Sequence, residues 1–161
     1  MAGPRRKARE IALQIVHQMD AGGLDNPELA LGRYYAHLST EGGPAIDEDA
    51  PRDEAAGADT AGGRIDRELV ESLVRGVAAH RAELDQMLTD LSRNWRLERM
   101  AVVERNVIRM ALFELRHSPS VPFAVVINEA VELSKRFGTA EGAAFVNGLL
   151  ERAMTELGLN R

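Results

Sequence analysis

Apolar residues recur every three or four positions along most of the chain, which is the spacing of one face of an α-helix. Gly22 and Gly23 end the first predicted helix, which runs from about Arg5 to Asp20. No stretch alternates apolar and polar residues with the period of a strand. The sequence therefore predicts an all-α fold of about seven helices. The apolar face of the first helix carries Ala8, Ile11, Ala12, Ile15, Val16 and Met19.

Local signals place the ends of the next two helices. Asn26 followed by Pro27 predicts the start of the second helix, because Asn caps a helix and Pro suits its first turn. Asp66 is the expected cap of a long third helix, whose apolar positions continue to Leu91. A short turn over about 94–100 follows it.

Similar signals delimit the C-terminal helices. After the turn over about 94–100, a helix that we count as the fifth is expected over about 102–116. Pro122 predicts the start of the sixth helix, and Gly138 its C-terminal cap. Thr139 predicts the cap of the last helix.

Residues 41–65 differ from the rest of the chain in composition and charge. They hold seven acids (Glu41, Asp47, Glu48, Asp49, Asp53, Glu54 and Asp59), two bases and few large apolar side chains. Such a segment cannot bury enough apolar surface to offset the entropy lost on ordering. We interpret it as a flexible acidic insertion.

Positive charge is concentrated at the N-terminus. The formal net charge is −5, and residues 41–65 account for all of it, so the remaining 18 acids and 18 bases cancel. Arg5, Arg6, Lys7 and Arg9 place four positive charges in the first nine residues, without an acid among them. Cations in the first turn oppose the helix dipole at a cost of about 0.3–1 kcal/mol each. A polyanionic partner would explain them, and a frayed, solvated basic tail is the alternative.

Several classes of function are disfavoured by the sequence. Cysteine is absent, which excludes thiolate metal sites and suits a reducing cytoplasm. The chain has no apolar run long enough for a membrane span and no phosphate-binding glycine motif, and His17, His37, His80 and His117 lack metal-ligand spacing. We therefore expect a cytoplasmic protein that is not an enzyme and has no cofactor or metal.

Four segments together resemble the NusB family of transcription antitermination factors. They are ERNVIRMALFEL (104–115), VPFAVVINEAVELSKRFG (121–138), FVNGLL (145–150) and RRKAREIALQ (5–14). The likeness covers the chain except for residues 40–65, where the family usually has a shorter connection.

The resemblance implies two packed three-helix subdomains in a single NusB-like domain over 1–161. The N-terminal subdomain would be 1–92, with the acidic insertion, and the C-terminal subdomain 93–161. It also implies that the chain binds the boxA element of ribosomal RNA transcripts together with the ribosomal protein NusE. In that complex it would modify RNA polymerase.

Two other functions remain open from the sequence. The chain could be a helical protein-binding module, for instance a homodimer whose shared face covers the RNA surface. NusB-like domains also occur fused to rRNA cytosine methyltransferases, so a detached RNA-binding domain of such an enzyme is a further alternative. Because the sequence ends soon after the domain, we do not expect that catalytic part in this chain.

Further RNA-binding candidates lie in the last two helices. Phe145 falls at the edge of its apolar stripe, where an aromatic ring can stack on a base, and the family places its RNA surface here. Phe137 falls within the apolar sector of its helix and is expected in the core. Lys135 is a weaker phosphate candidate, better explained by solvation. Glu141 matches a family position beside the RNA, where its charge would limit affinity, or it serves as a helix N-terminal charge.

The resemblance also indicates residues for the protein partner. His17 in the first helix and Glu104 at the start of the fifth match partner-binding positions, although many relatives have Tyr where His17 stands. Each also has a structural explanation, as a boundary histidine and a helix N-terminal charge. Asn128 and Asn147 lie inside predicted helices, so we expect each to hydrogen-bond another helix or loop.

Overall fold

The structure is a computed structural model that describes residues 3–40, 65–93, 96, 99–156 and 158. Within these residues the secondary structure is entirely helical, which confirms the all-α prediction. The acidic segment 41–64 and most of the turn over 94–100 lie outside the described residues. Seven helices are described: α1 (Pro4–Gly22), α2 (Pro27–Thr40), α3 (Arg67–Ala79), α4 (Arg81–Leu91), α5 (Val102–His117), α6 (Phe123–Phe137) and α7 (Ala140–Glu156).

The predicted helix boundaries rest on local hydrogen bonds. Gly23 ends α1 with φ 65°, a left-handed conformation that glycine adopts without strain. Pro122 precedes α6 and Gly138 follows it, as expected. Three side chains cap helices as predicted: Asn26 accepts from the amides of Glu28 and Leu29, Asp66 from Leu69, and Thr139 from Gly142, all at 2.9–3.2 Å.

The prediction of one long third helix from Asp66 to Leu91 is wrong, because the chain turns at His80. The residue has φ −108° and ψ 17°, and it separates α3 from α4. No Gly or Pro marks this break. At this break the His80 ring packs against Phe113 and His117 of α5.

The helices pack in two groups around one core. Helices α1, α2 and α3 contact one another, as do α5, α6 and α7, while α4 contacts α3, α5 and α7. The buried apolar side chains of all seven helices form a single cluster, in which Ile15, Leu73, Leu88, Ile108 and Leu150 are almost fully enclosed. The subdomain boundary near residue 92 stays a prediction. None of the described helices is both long and apolar enough to cross a membrane.

Candidate nucleic-acid interface

The four basic residues near the N-terminus lie on an ordered helix. Pro4 occupies the first turn of α1, and the amide of Lys7 donates to the carbonyl oxygen of Gly3 at 3.0 Å. The first turn contains no acid. The cations are therefore held in helical geometry, against the favourable sense of the helix dipole.

The four side chains differ in what they contact. Arg5 is exposed and makes no hydrogen bond or ion pair with another described residue. Lys7 is half exposed and approaches Glu10 only at 3.9 Å. Arg6 donates from Nε and Nη2 to the two carboxylate oxygens of Glu129 on α6, at 3.0 and 2.9 Å, and that pairing raises its pKa.

Arg9 does not face a phosphate, contrary to the expectation from the sequence. Its side chain is 5% exposed, and its Nε lies 3.1 and 3.3 Å from the carboxylate oxygens of Glu114 on α5. Burial raises the pKa of the Glu114 carboxyl, and the charge of Arg9 opposes that rise. Arg9 and Glu114 thus form a structural ion pair that joins α1 to α5.

A second set of ion pairs fastens the same end of α1 to α6. Glu10 is buried and accepts from Arg136, and Arg6 pairs with Glu129, which is one turn earlier on α1 and two turns earlier on α6. These pairs fix the position of the basic end of α1 relative to the C-terminal end of α6.

Phe137 lies beside this contact and is exposed, so its predicted place in the core is wrong. Its side chain is 37% exposed, and the guanidinium carbon of Arg136 lies 5.4 Å from the ring centroid. As the last residue of α6, Phe137 extends beyond the buried positions Leu133 and Ser134. We use the name α1–α6 face for Lys7 and Arg136, which both lie near Glu10, for Phe137 beside Arg136, and for the exposed Arg5 at the start of α1.

The structure does not bring Lys135 to this face. Consecutive helical residues point about 100° apart, so Lys135 points away from α1 while Arg136 points toward it. Lys135 lies near Glu132, at 3.6 Å, and lines a groove between α6 and α7.

Phe145 and Glu141 lie on α7, which packs on α4, α5 and α6. The Phe145 ring is partly buried against the core, in keeping with its predicted edge position. Glu141 is exposed in the first turn of α7, where a negative charge is favourable. Neither residue belongs to the α1–α6 face.

The groove between α6 and α7 also contains Asn128 and Asn147. Neither amide hydrogen-bonds another described side chain or backbone group, so the predicted structural bonds are not found in this part of the chain. The groove measures about 570 Å³, and its remaining walls are mainly apolar, including Phe123, Ile127 and Met154.

Glu104 is buried rather than presented to a partner. A Cβ atom on Gly138 or Gly142 would lie 2.4 or 2.0 Å from its Oε1 atom, so both glycines make room for this carboxylate. Its Oε2 atom has no hydrogen-bond partner among the described residues. His17 is half-buried on α1.

These features describe an all-α module with a basic helix end held rigidly on its scaffold. The sequence profile of the NusB family matches residues 6–155. The chain belongs to the NusB family of transcription antitermination proteins.

Similar proteins cover nearly the whole chain. The transcription antitermination protein NusB of Myxococcus xanthus is 43% identical over 96% of this chain and 97% of its own length. That of Symbiobacterium thermophilum is also 43% identical, over 91% and 86%. Among solved structures, Thermotoga maritima NusB (titled "T. maritima NusB") superposes with a TM-score of 0.71 at 26% identity, covering 97% of this chain and 94% of that one.

A further solved structure shares the fold. A chain in "Crystal Structure of a Plectonemic RNA Supercoil" superposes with a TM-score of 0.73 at 23% identity, over 95% of both chains. This likeness concerns the backbone arrangement of the helices.

Proposed function

We propose that the protein binds a single-stranded boxA-type RNA on the α1–α6 face and, with the ribosomal protein NusE, acts on RNA polymerase during ribosomal RNA transcription. The observation that carries this proposal is the exposure of Arg5 and Lys7 on a helix end fastened by buried ion pairs. Cations held in place bind phosphate with less loss of entropy than a mobile tail.

The proposed interface includes a base-stacking residue. Exposed Phe137 lies beside Arg136, and Arg136 is joined through Glu10 to the neighbourhood of Lys7. A base stacked on an aromatic ring contributes about 1–3 kcal/mol. Phe137 is therefore the preferred aromatic contact, and Phe145 is the alternative taken from the family resemblance.

The proposed role requires binding alone. Neither catalysis nor a cofactor is part of it, and it belongs in the cytoplasm, where a bacterial transcript leaves RNA polymerase. The names of the relatives, transcription antitermination proteins, support this reading.

An RNA titration at two salt concentrations tests the proposal. Each single-strand phosphate contact contributes about −0.7 to the slope of log affinity against log salt. Because Arg9 is buried and Arg6 is paired, we expect a contribution of about −1.4 from Arg5 and Lys7, instead of nearly −3 from four contacts. The double variant Arg5→Ala/Lys7→Ala should weaken binding and lose that part of the slope.

The matched control is Arg33→Ala, which removes an exposed arginine of α2. It should leave affinity and slope unchanged. Phe137→Ala should weaken binding at both salt concentrations without changing the slope, because stacking releases no counterions. A double variant of Arg5 and Lys7 that binds boxA-type RNA like the wild type would refute the proposed interface.

Point substitutions test the proposed interface more directly than removal of the first ten residues, because that removal would also break structural ion pairs. A chain starting at Ile11 would lose Arg6, Arg9 and Glu10, and with them the ion pairs to α5 and α6. Its failure to bind RNA could then reflect a misplaced helix. Arg5 and Lys7 carry no such structural contact.

For the protein partner, we propose that His17 contacts NusE directly and that Glu104 acts by positioning the turn between α6 and α7. The half-exposed position of His17 and the contact of Glu104 with Gly138 and Gly142 support this division. His17→Ala should weaken binding of purified NusE without RNA, measured by calorimetry, and should leave thermal stability unchanged. Unaltered NusE affinity would remove His17 from the interface.

Gel filtration distinguishes the binding-module alternative. If a second copy covered the α1–α6 face, the protein would elute as a dimer and RNA affinity would fall as protein concentration rises. Under our proposal, RNA affinity is independent of protein concentration.

A further inference from the structure

Two histidines and a glutamate converge on the side of the molecule where α3, α4 and α5 meet. His80 lies at the turn between α3 and α4, Glu83 in the first turn of α4, and His117 at the end of α5. The Nδ1 atom of His80 lies 3.2 Å, and the Nε2 atom of His117 3.7 Å, from the same carboxylate oxygen, Oε2 of Glu83. The three candidate ligand atoms lie within 4.8 Å of one another.

These separations suit a shared metal ion. Zinc binds histidine nitrogen and carboxylate oxygen at about 2.0–2.2 Å in tetrahedral geometry, which places neighbouring ligand atoms about 3.3 Å apart. The distances from the two imidazole nitrogens to Oε2 of Glu83, 3.2 and 3.7 Å, lie on either side of this value. The third separation, between the two imidazole nitrogens, is no more than 4.8 Å.

Neighbouring side chains hold the candidate ligands in position. The Nε atom of Arg116 lies 3.0 Å from the other oxygen of Glu83, Oε1, which leaves Oε2 toward the imidazoles. Such outer contacts orient ligands in known metal sites.

The rings are also constrained by packing. His80 and His117 stack with centroids 4.2 Å apart, and both pack against Phe113. Phe113 itself is fixed against Gly76, where a Cβ atom would lie 2.1 Å from the ring. The packing keeps the two imidazoles adjacent, and a bound ion would turn them out of their stack so that one nitrogen of each points to it.

We propose that His80, Glu83 and His117 bind one divalent transition-metal ion, with zinc as the best match. Two imidazoles and one carboxylate form a three-ligand set typical of zinc, which leaves a fourth position for water or an outside group. The ion would join the turn between α3 and α4 to the end of α5. The site is separate from the α1–α6 face and does not depend on the proposed RNA function.

Calorimetry with zinc chloride on the full, untagged protein, freed of metal by a chelator, tests the site. We expect one saturable site and a rise in melting temperature with zinc. His117→Gln and His80→Gln should each weaken zinc binding by about tenfold or more, since each removes a ligand. Cobalt(II) substitution should give the visible absorption of a tetrahedral ion in the wild type only.

His37→Gln is the matched control, because it removes an exposed histidine on α2. It should leave zinc affinity unchanged. All variants should keep the circular dichroism of the wild type, since the replaced side chains are partly exposed. Absence of saturable binding, or equal binding by His80→Gln/His117→Gln and the wild type, would overturn the proposal.

Discussion

At the N-terminal end of α1, two residues two positions apart use their charges differently. Lys7 extends toward solvent, whereas Arg9 is enclosed and bound to Glu114. The helical rotation of about 200° between them decides which one faces α5. A basic run in sequence therefore divides into charges available to a partner and charges that hold the fold together.

Replacing Arg9 with Met should lower the free energy of unfolding by about 3–5 kcal/mol at neutral pH, because the buried Glu114 carboxylate would lose its ion pair with Arg9. Arg33→Met, an exposed change on α2, is the control and should have almost no effect. Urea denaturation followed by circular dichroism measures both. Equal stability of the two variants would show that the Arg9–Glu114 pair contributes nothing.

The cost of Arg9→Met should depend on pH. Burial raises the pKa of Glu114 above its unfolded value of about 4.3, and Arg9 opposes this rise. The protonated carboxyl thus favours folding below the unfolded pKa, and that contribution is lost as pH rises through the folded pKa. Without Arg9 the folded pKa rises further, so the stability deficit of the variant should be smaller at pH 4.5 than at pH 7.

At the level of elements, the contact between the start of α5 and the turn joining α6 to α7 depends on small residues. Glu104 occupies the space that side chains on Gly138 and Gly142 would need. Gly138 has φ −116°, which is not a left-handed conformation. Glycine is needed at this position because Glu104 approaches its backbone closely. The glycine predicted as a cap therefore has a packing role that local sequence does not express.

A pair of glycine substitutions in α7 separates helix propensity from packing. Gly142→Ala should destabilise the protein by about 1–3 kcal/mol, because the new Cβ would overlap buried Glu104. Gly148→Ala in the same helix has open space around it and should stabilise the protein by about 0.5–1 kcal/mol. Melting temperatures that shift in the same direction for both would contradict the packing argument.

At the scale of the whole molecule, one carboxylate connects the two groups of helices. Asp20 near the end of α1 accepts from Arg81 of α4 at 2.9 Å, and from Arg105 and Arg109 of α5 at 2.7 and 3.1 Å. Burial alone would raise the pKa of Asp20, but the three arginines outweigh it and the pKa is lowered. This network, with the core shared by all seven helices, fixes how the N-terminal helices sit on the C-terminal ones.

Asp20→Asn should reduce the free energy of unfolding by about 1–3 kcal/mol at pH 7, the range for hydrogen bonds to charged groups. Because the folded pKa is lowered, the stabilisation by Asp20 is present above the ordinary Asp pKa of about 3.9 and is lost as pH falls through the folded value. The difference between wild type and variant should therefore shrink in acid. Asp25→Asn, in the exposed loop after α1, is the control.

A constant difference between wild type and Asp20→Asn from pH 7 to pH 3 would contradict this assignment. So would an equal loss of stability in Asp25→Asn, because that residue lies outside the arginine network. Thermal unfolding across the pH range measures both.

Much of the fold could be predicted from local signals. The caps at Asn26, Asp66 and Thr139 and the end of α1 at Gly23 follow from hydrogen bonds within a few residues, so the sequence contains the whole interaction. The break at His80 could not be predicted in this way. No local signal marks it, and the rings that pack on His80 belong to α5, more than thirty residues away in the chain.

The candidate sites were less predictable than the helices. The basic run and the family motifs can be identified in the sequence. The burial of Arg9 and the exposure of Phe137 cannot, because they depend on where α1, α5 and α6 meet. The histidine cluster was missed for a related reason. His80 and Glu83 are close in sequence, but His117 joins them only through the packing of α4 on α5.

By itself, the sequence determined the helical class, most helix ends, the family and the concentration of positive charge at the N-terminus. Each of these depends on residue type, short-range hydrogen bonds or periodicity along one chain. Only the tertiary structure decided which cations are exposed, which aromatic ring is accessible and which ligating atoms converge. Those properties depend on the rotation of each helix against its neighbours, and distant side chains packing into one core set that rotation.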